Sequence, residues 1–317
     1  MVSDEAAIAL VGAGRMGSVH LEALKRAEGV RLAAVVEPFE PTRARVAENG
    51  IPTYESVEEL LARSIPDGVL IAAPSDQHSR LVSRFAAAGV AVLCEKPVGV
   101  SAEQAREAAA AAASGQILFQ VGYWRRFVPE VQGLRRRIAA GELGEMIQLC
   151  CYQWDHELPT ETFRTSSGGI AVDMGVHEFD QARWLLGQEF EAVRATAAGA
   201  SPERPRDDPD NATILASMSA GSAVIVSLGR RFPYEDSCWL EVWGTDGHER
   251  LEFMWDTDGQ RVFADAMVRQ AEAFARALGG APQEGAGADD AVIALTVAGR
   301  AATALAASTD PERLPAH

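Results

Sequence analysis

Sulfur and histidine are scarce in this chain of 317 residues, with four cysteines and six histidines. Cys94, Cys150, Cys151 and Cys238 form no CxxC pair, which argues against a structural zinc site, and a disulfide framework does not suit a chain this long. Lys and Arg together number 29 against 45 Asp and Glu, a formal net charge of -16, and no long basic run sets a surface apart for a polyanion. Nucleic acid is therefore not an expected partner. The N-terminal residues lack the basic start and cleavage region of a secretory signal. No apolar run is long enough for a bilayer, the Ala-rich C-terminal segment being interrupted by Thr296, Arg300 and Thr303. A cytoplasmic protein without membrane attachment is the expectation. What the chain has in quantity is apolar residues, 47% with 23% charged, the composition of a soluble globular protein with one large or two ordinary domains.

Up to about residue 122, short apolar runs alternate with helical patterns. AIALV, RLAAVVE, GVLIAA, VAVLCE and ILFQVG read as strands. Between them SVHLEALKRA, PTRARVAENG, VEELLARS and residues 77–88 and 102–113 read as helices, with Ser56/Glu59 and Ser101/Gln104 as capping boxes. The strands are continuous apolar runs without polar alternation, the mark of a parallel sheet covered on both faces. Beyond residue 122 the texture changes. A helix near 129–140 and a strand MIQLCCYQW precede GIAVDMGVHEFDQARWLLG, read as one helix stopped by glycine. TILASMSA, AVIVSLGRR, CWLEVWGT and RLEFMW read as consecutive strands, followed by helices at 262–278 and 289–307. Residues 199–211 read as an exposed loop. The expectation is an α/β protein: a Rossmann-type parallel-sheet domain at 1–122, then an α+β domain at 123–317 on a large, open, mostly antiparallel sheet.

Gly12-Ala13-Gly14-Arg15-Met16-Gly17 matches G-x-G-x-x-G with a strand before it and a helix after it. The first glycine permits the tight turn, the second close approach of a pyrophosphate, and the third packing of helix on strand. Amides at the helix start, from Arg15 and Met16 onward, face the phosphates. Glu37 ends the second strand, where a carboxylate accepts hydrogen bonds from ribose hydroxyls and repels a 2'-phosphate. NAD is thus expected over NADP, with Arg43 and Arg45 close enough in sequence to keep NADP as an alternative. Ala73, Pro74 and Ser75 end the third strand, beside the expected cofactor position, with Gln77 and His78 following. His78 reads equally as a cofactor contact or as an ordinary residue at a helix start. CEKPVG follows the fourth strand and places Glu95 and Lys96 at another carboxyl end, where Lys96 is a candidate donor near the reacting centre.

On one helix, Asp173, His177 and Asp180 at i, i+4 and i+7 would fall within roughly 60° of arc. Oxidation of a secondary alcohol needs a base for the hydroxyl proton and acceptors that orient the other hydroxyls, and histidine titrates near operating pH. Two other readings stand beside this one. A metal-assisted hydrolase or lyase could use Asp173 and His177, although H-E-x-x-H is absent and the nearest second histidine is His156. A capped helix end with a satisfied histidine is the structural alternative. A non-enzymatic NAD-binding sensor or scaffold is a further possibility.

VGAGRMGSVH (11–20), VVEP (35–38), APSDQH (73–78), CEKPVG (94–99), VGYWRRF (121–127), SGGIAVDMGVHEFD (167–180) and EVWGTDG (241–247) together resemble the glucose-fructose oxidoreductase / inositol 2-dehydrogenase / rhizopine catabolism (Gfo/Idh/MocA) family of NAD(P)-dependent dehydrogenases. The resemblance covers nearly the whole chain. It implies oxidation of a secondary hydroxyl of a sugar, inositol or related polyol to a ketone, without a metal. It also implies catalysis by Lys96, Asp173 and His177, with His177 as proton acceptor and Lys96 bonding the reacting hydroxyl. Arg125, Arg126 and Phe127 would flank the cleft, with Tyr123 and Trp124 as aromatic walls. Trp154, Asp155, His156 and Arg164 fall where substrate contacts vary among relatives, Trp154 as a sugar-stacking face or a core residue. The C-terminal sheets of such proteins pack face to face, so a homodimer or homotetramer is expected.

Overall fold

The apolar run at the start of the chain extends as β1 (Ala6–Val11), whose last four residues are buried. It leads through the glycine turn into α1 (Arg15–Arg26), and the alternation continues with β2 (Val30–Val36), α2 (Glu40–Ala47), β3 (Thr53–Tyr54), α3 (Val57–Arg63), β4 (Gly68–Ile71), α4 (His78–Ala86), β5 (Ala91–Cys94), α5 (Ala102–Ser114) and β6 (Phe119–Val121). The second series is α6 (Pro129–Ala139), β7 (Met146–Asp155), α7 (Glu161–Ser167), α8 (Ile170–Asp173), α9 (Gly175–Leu186), β8 (Phe190–Ala197), β9 (Asn211–Met218), β10 (Ala223–Arg230), β11 (Ser237–Gly244), β12 (His248–Met254), α10 (Gly259–Leu278) and α11 (Ala288–Ala307). This computed structural model describes residues 5–197, 208–255 and 258–307. The chain divides into two units, one running to Val128 and including Gln260–Ile293, the other comprising Pro129–Gly259 and the residues from Ala294 onward.

In the first unit six parallel strands take the order β3-β2-β1-β4-β5-β6. The reversal of strand order between β1 and β4 is the switch point at which doubly wound sheets open a crevice at their carboxyl ends. Ser56 and Ser101 cap α3 and α5 by accepting from Glu59 N and Gln104 N, as their spacing predicts. The two-residue β3 is too short to register as a sequence pattern. Residues 260–293 belong to this unit because α10 carries Ala271, Phe274 and Ala275 into the core beside Ile8, Leu10 and Leu24. Gly68 makes room for that helix: a Cβ there would lie 2.8 Å from the Phe274 ring.

In the second unit the strand order is β12-β11-β7-β10-β9-β8, antiparallel throughout except for the parallel pair β7/β10. The inner face presents Leu149 and Cys151, Ile214 and Ala216, Val224 and Val226, Leu240 and Val242, all buried. α9 lies on this face, and Gln181 on it reaches Cys151 Sγ at 3.4 Å. The expected single helix over 170–186 is two. It breaks at Met174, where the His177 amide bonds Met174 O, three residues back. Gly187, at φ 63°, stops α9 as expected. β8 and α7 had no clear period in the sequence and are additions. Most of the loop expected at 199–211 lies outside the described residues; its end, Asp208, is buried rather than exposed. α11 is continuous through Thr296, Arg300 and Thr303 and is long and apolar enough to cross a membrane, yet Leu295, Ala298, Ala301 and Leu305 are buried within the protein.

Candidate functional site

The glycine turn has the form its spacing predicts. Gly12 takes φ 91°, and a Cβ on it would sit 2.7 Å from Ala72 O, so the turn after β1 presses against the end of β4. A Cβ on Gly17 would strike Gly12 O, which is how α1 comes close enough to β1. Gly14 differs from both, since a Cβ there meets nothing within 4 Å. Its open side is where a pyrophosphate would approach. α1 starts at the exposed Arg15 with no acidic residue in its first turn, so its own residues leave the positive end of its dipole uncompensated. The turn fits a dinucleotide.

Glu37, buried just past β2, turns its carboxylate to this loop. Its Oε2 accepts from Ala13 N at 2.8 Å and its Oε1 from Phe39 N at 2.9 Å. A carboxylate has about four lone-pair sites, so acceptor capacity remains for a ribose diol. Arg43, one of the two cations that kept NADP open, donates from Nη1 to Glu37 O (2.7 Å) and Pro38 O (2.9 Å), with Nη2 3.7 Å from Glu55, while Arg45 is exposed. The Arg43 guanidinium is engaged by main-chain carbonyls and a carboxylate.

Ala73, Pro74 and Ser75 lie at the carboxyl end of β4, partly or fully exposed, as does Lys96 beyond β5, half-buried. Two residues grouped with them serve beneath the surface. His78 is 1% exposed, with Nδ1 2.7 Å from Pro97 O and Nε2 2.7 Å from Ala73 O, so it joins the two loops from behind. Carbonyls only accept, and a neutral imidazole carries one N–H, so only the protonated ring satisfies both contacts. Burial nonetheless wins and lowers the pKa below 6.5, against the two carbonyls and Glu95, which raise it. Glu95 is also buried. His20, a residue the sequence did not single out, lies 2.6 Å from its Oε1, and Lys96 N donates to its Oε2 at 3.1 Å. Burial pushes the Glu95 carboxyl up, but the His20 hydrogen bond and charge, with Lys96 and His78, hold it below 4.5. Glu95 thus anchors the main chain of Lys96 instead of presenting itself to a ligand. Tyr123 and Arg126 are buried too, Arg126 with its guanidinium 3.1 Å from Asp290. Cys94 is a core residue whose thiol burial pushes up, and none of the four cysteines is in a disulfide.

In the second unit Asp173 ends α8 and His177 lies in the first turn of α9, on either side of the Met174 break. Asp173 is half-buried; His177 and Asp180 are buried. Arg164, expected to meet substrate, is turned inward. Its Nη1 donates to Asp208 Oδ2 at 3.0 Å and its Nη2 to Asp210 Oδ1. Trp154 departs further from expectation. Strand alternation puts it on the outer face of β7, opposite the face that α9 covers, with its ring over Gly229 and its Nε1 3.2 Å from Ser227 Oγ. It therefore neither faces the Asp173–His177 segment nor fills the inner core. Arg230 and Asp208, absent from the sequence reading, stand beside Asp173, with Arg230 Nη2 3.6 Å from Asp173 Oδ2 and Arg230 Nη1 2.9 Å from Asp208 Oδ1. A doubled arginine closing an apolar strand was the only hint. Among the described residues no three of His, Cys, Asp and Glu come together as a metal-binding group.

Both perturbed groups of the first unit set a pH dependence. His78 and Glu95 release protons at lower pH folded than unfolded, so below 6.5 the unfolded chain binds more protons and folding weakens. The denaturation midpoint is expected to fall on acidification from pH 6.5, first through His78 and, below 4.5, through Glu95. His78→Gln should flatten the upper part of that curve and Glu95→Gln the lower. Curves for both variants parallel to the parent would show that neither group is linked to folding.

Residues 6–123 match the oxidoreductase family with an NAD-binding Rossmann fold, GFO/IDH/MocA, and residues 131–249 match the GFO/IDH/MocA C-terminal domain. The rhizopine catabolism protein MocA of Rhizobium meliloti is 48% identical over 299 residues, covering 94% of each chain. The inositol 2-dehydrogenase of Rhizobium meliloti strain 1021 is 34% identical over 75% of this chain and 73% of its own. A crystal structure of a myo-inositol dehydrogenase from Corynebacterium glutamicum superposes with a TM-score of 0.86 at 26% identity, covering 95% of this chain and 96% of that one. A glycine cradle open at Gly14, a carboxylate at the end of β2 and this similarity along almost the entire sequence agree, and the chain belongs to the Gfo/Idh/MocA family of NAD-binding oxidoreductases.

Proposed function

We propose that this protein is an NAD-preferring dehydrogenase that reversibly oxidises a secondary hydroxyl of an inositol, sugar or related polyol to a ketone. The observation that carries the cofactor preference is the Glu37 carboxylate, fixed between Ala13 N and Phe39 N with its neighbouring cation Arg43 committed elsewhere. A 2'-phosphate would meet an anion that cannot withdraw without stranding two amides. The substrate class is supported by the similarity to inositol 2-dehydrogenase and by the retention of Lys96, Asp173 and His177 in their motifs. Bound NAD would accept the hydride. Lys96, its main chain tied to Glu95, would donate to the reacting hydroxyl; His177 would take the hydroxyl proton, and Asp173 would orient a substrate hydroxyl.

The assembly proposed is a homodimer or homotetramer in a cytoplasmic setting. Its support is the outer face of the second sheet, where Tyr152 and Trp239 stack at 4.6 Å and Leu215 is 48% exposed. A second copy would cover these apolar side chains.

Glu37→Ser is expected to raise KM for NAD about tenfold, the worth of one charge-assisted hydrogen bond, and to narrow the NAD-to-NADP ratio; an unaltered ratio would place ribose discrimination elsewhere. A panel of cyclitols and sugars, followed by the absorbance of the reduced nicotinamide, should reveal turnover. It should fall roughly 10²–10⁴-fold in His177→Ala and Lys96→Met with NAD binding retained. Silence across the panel from protein that binds NAD would favour a sensor instead. Light scattering should give two or four chains per particle, and Leu215→Glu should shift it toward one; a parent protein that is already monomeric would refute the assembly.

A further inference from the structure

Five side chains of alternating sign run through the second unit: Asp210, Arg164, Asp208, Arg230 and Asp173. Arg164 and Arg230 have side chains only 5% and 1% exposed. Burying two guanidinium groups is costly unless each is held between carboxylates, and here each is. The line ends on Asp173, to which the reading above gives a place in catalysis.

The arrangement answers a problem posed by α8. One turn of helix does not hold itself, since it fixes several backbone dihedrals for very few hydrogen bonds. Its N-cap, Gly169, has no side chain to satisfy the first amides. Asp208 does so from outside, with Oδ1 accepting from Ile170 N at 2.9 Å. The same oxygen accepts from Arg230 Nη1, and Arg230 Nη2 reaches the other end of the turn, 3.6 Å from Asp173 Oδ2. Arg230 closes β10 on the inner face of the sheet, and its own amide bonds Asp210 O at 3.0 Å. Both ends of α8 are thereby referred to a strand.

We infer that Arg230, locked by Asp208, is a positioning residue for Asp173, setting its carboxylate through α8. This rests on the reading that Asp173 takes part in turnover. A guanidinium can engage two carboxylates in fixed directions and an ammonium cannot do so with the same geometry, so Lys is only a partial substitute.

The test is a kinetic and exchange cycle on the full chain, with NAD and whichever polyol the panel identifies. Arg230→Gln should lower kcat at least tenfold with KM for NAD unchanged, and Arg230→Lys should recover part of the loss. In the Asp173→Asn background Arg230→Gln should cost nothing more. Independent losses that simply add would overturn the inference, as would full activity in Arg230→Gln. Should Arg230→Gln fail to fold, Asp208→Asn, which keeps an acceptor for Ile170 N, should show the same lack of additivity. Without cofactor or substrate, amide exchange at Asp173, whose N–H bonds Gly169 O at 2.8 Å, should speed up in Asp208→Asn and in Arg230→Gln. Unchanged exchange would overturn the inference by itself. An Asp173→Asn enzyme with full turnover would instead defeat the catalytic reading, while exchange would still report on the positioning.

Discussion

The contact on which the first unit turns is main chain against main chain: Gly12 pressed on Ala72 and Ala73, and Gly17 on Gly12. No side chain fits at either place. β1, its turn and the start of α1 meet β4 this closely, and the carboxyl ends of β2, β4 and β5 lie along the same edge of the parallel sheet. Glu37, Ser75 and Lys96 inherit their positions from it. The amide of Ala13, between the glycines, is also the donor that fixes Glu37. The glycine turn and the carboxylate on which the proposed NAD preference rests are therefore coupled through one peptide group.

Buried charge is managed by the same device in both units. Glu95 is held by His20 and by the Lys96 amide. Asp208 is held by two arginines and the Ile170 amide. Each of these carboxylates sits one step behind a residue to which the family resemblance gives chemistry, Lys96 in one case and Asp173 in the other. An isolated buried ion would cost several kcal/mol, so these groups are stable only as complete sets. A complete set is also rigid, and rigidity is what a hydroxyl-orienting site needs. The price of that rigidity falls on ionisation: Glu95 and His78 both lose protons more readily than they would in water.

Much of the architecture was legible along the chain. Apolar runs marked β1, β2, β4, β5 and β6, and the capping pairs at Ser56 and Ser101 marked two helix starts. Consecutive strand-like runs marked β9 to β12. The glycine fingerprint and Glu37 were legible because spacing within one strand–helix–strand unit is enough to define them. The break at Met174 was not, because GIAVDMGVHEFD keeps a helical period across it. Arg164 looked like a residue that meets substrate, and Trp154 like either a sugar-stacking face or a core residue. One is consumed by Asp208 and Asp210, and the other follows strand alternation to the outer face of its sheet.

The sequence by itself determined the fold class and the nucleotide turn, since both depend on short-range order: turns, caps, periods and motif spacing. Only the tertiary structure decided which charged groups are working surfaces and which are hidden supports. Read in line, His78, Glu95 and Arg164 stood as ligand contacts, and Asp208 and Arg230 as ordinary polar residues. Their partners lie 19 residues away for His78 and Pro97, 75 for His20 and Glu95, and 44 for Arg164 and Asp208. Hydrogen bonds and ion pairs act over a few ångströms of space whatever the separation along the chain, and folding alone supplies that proximity.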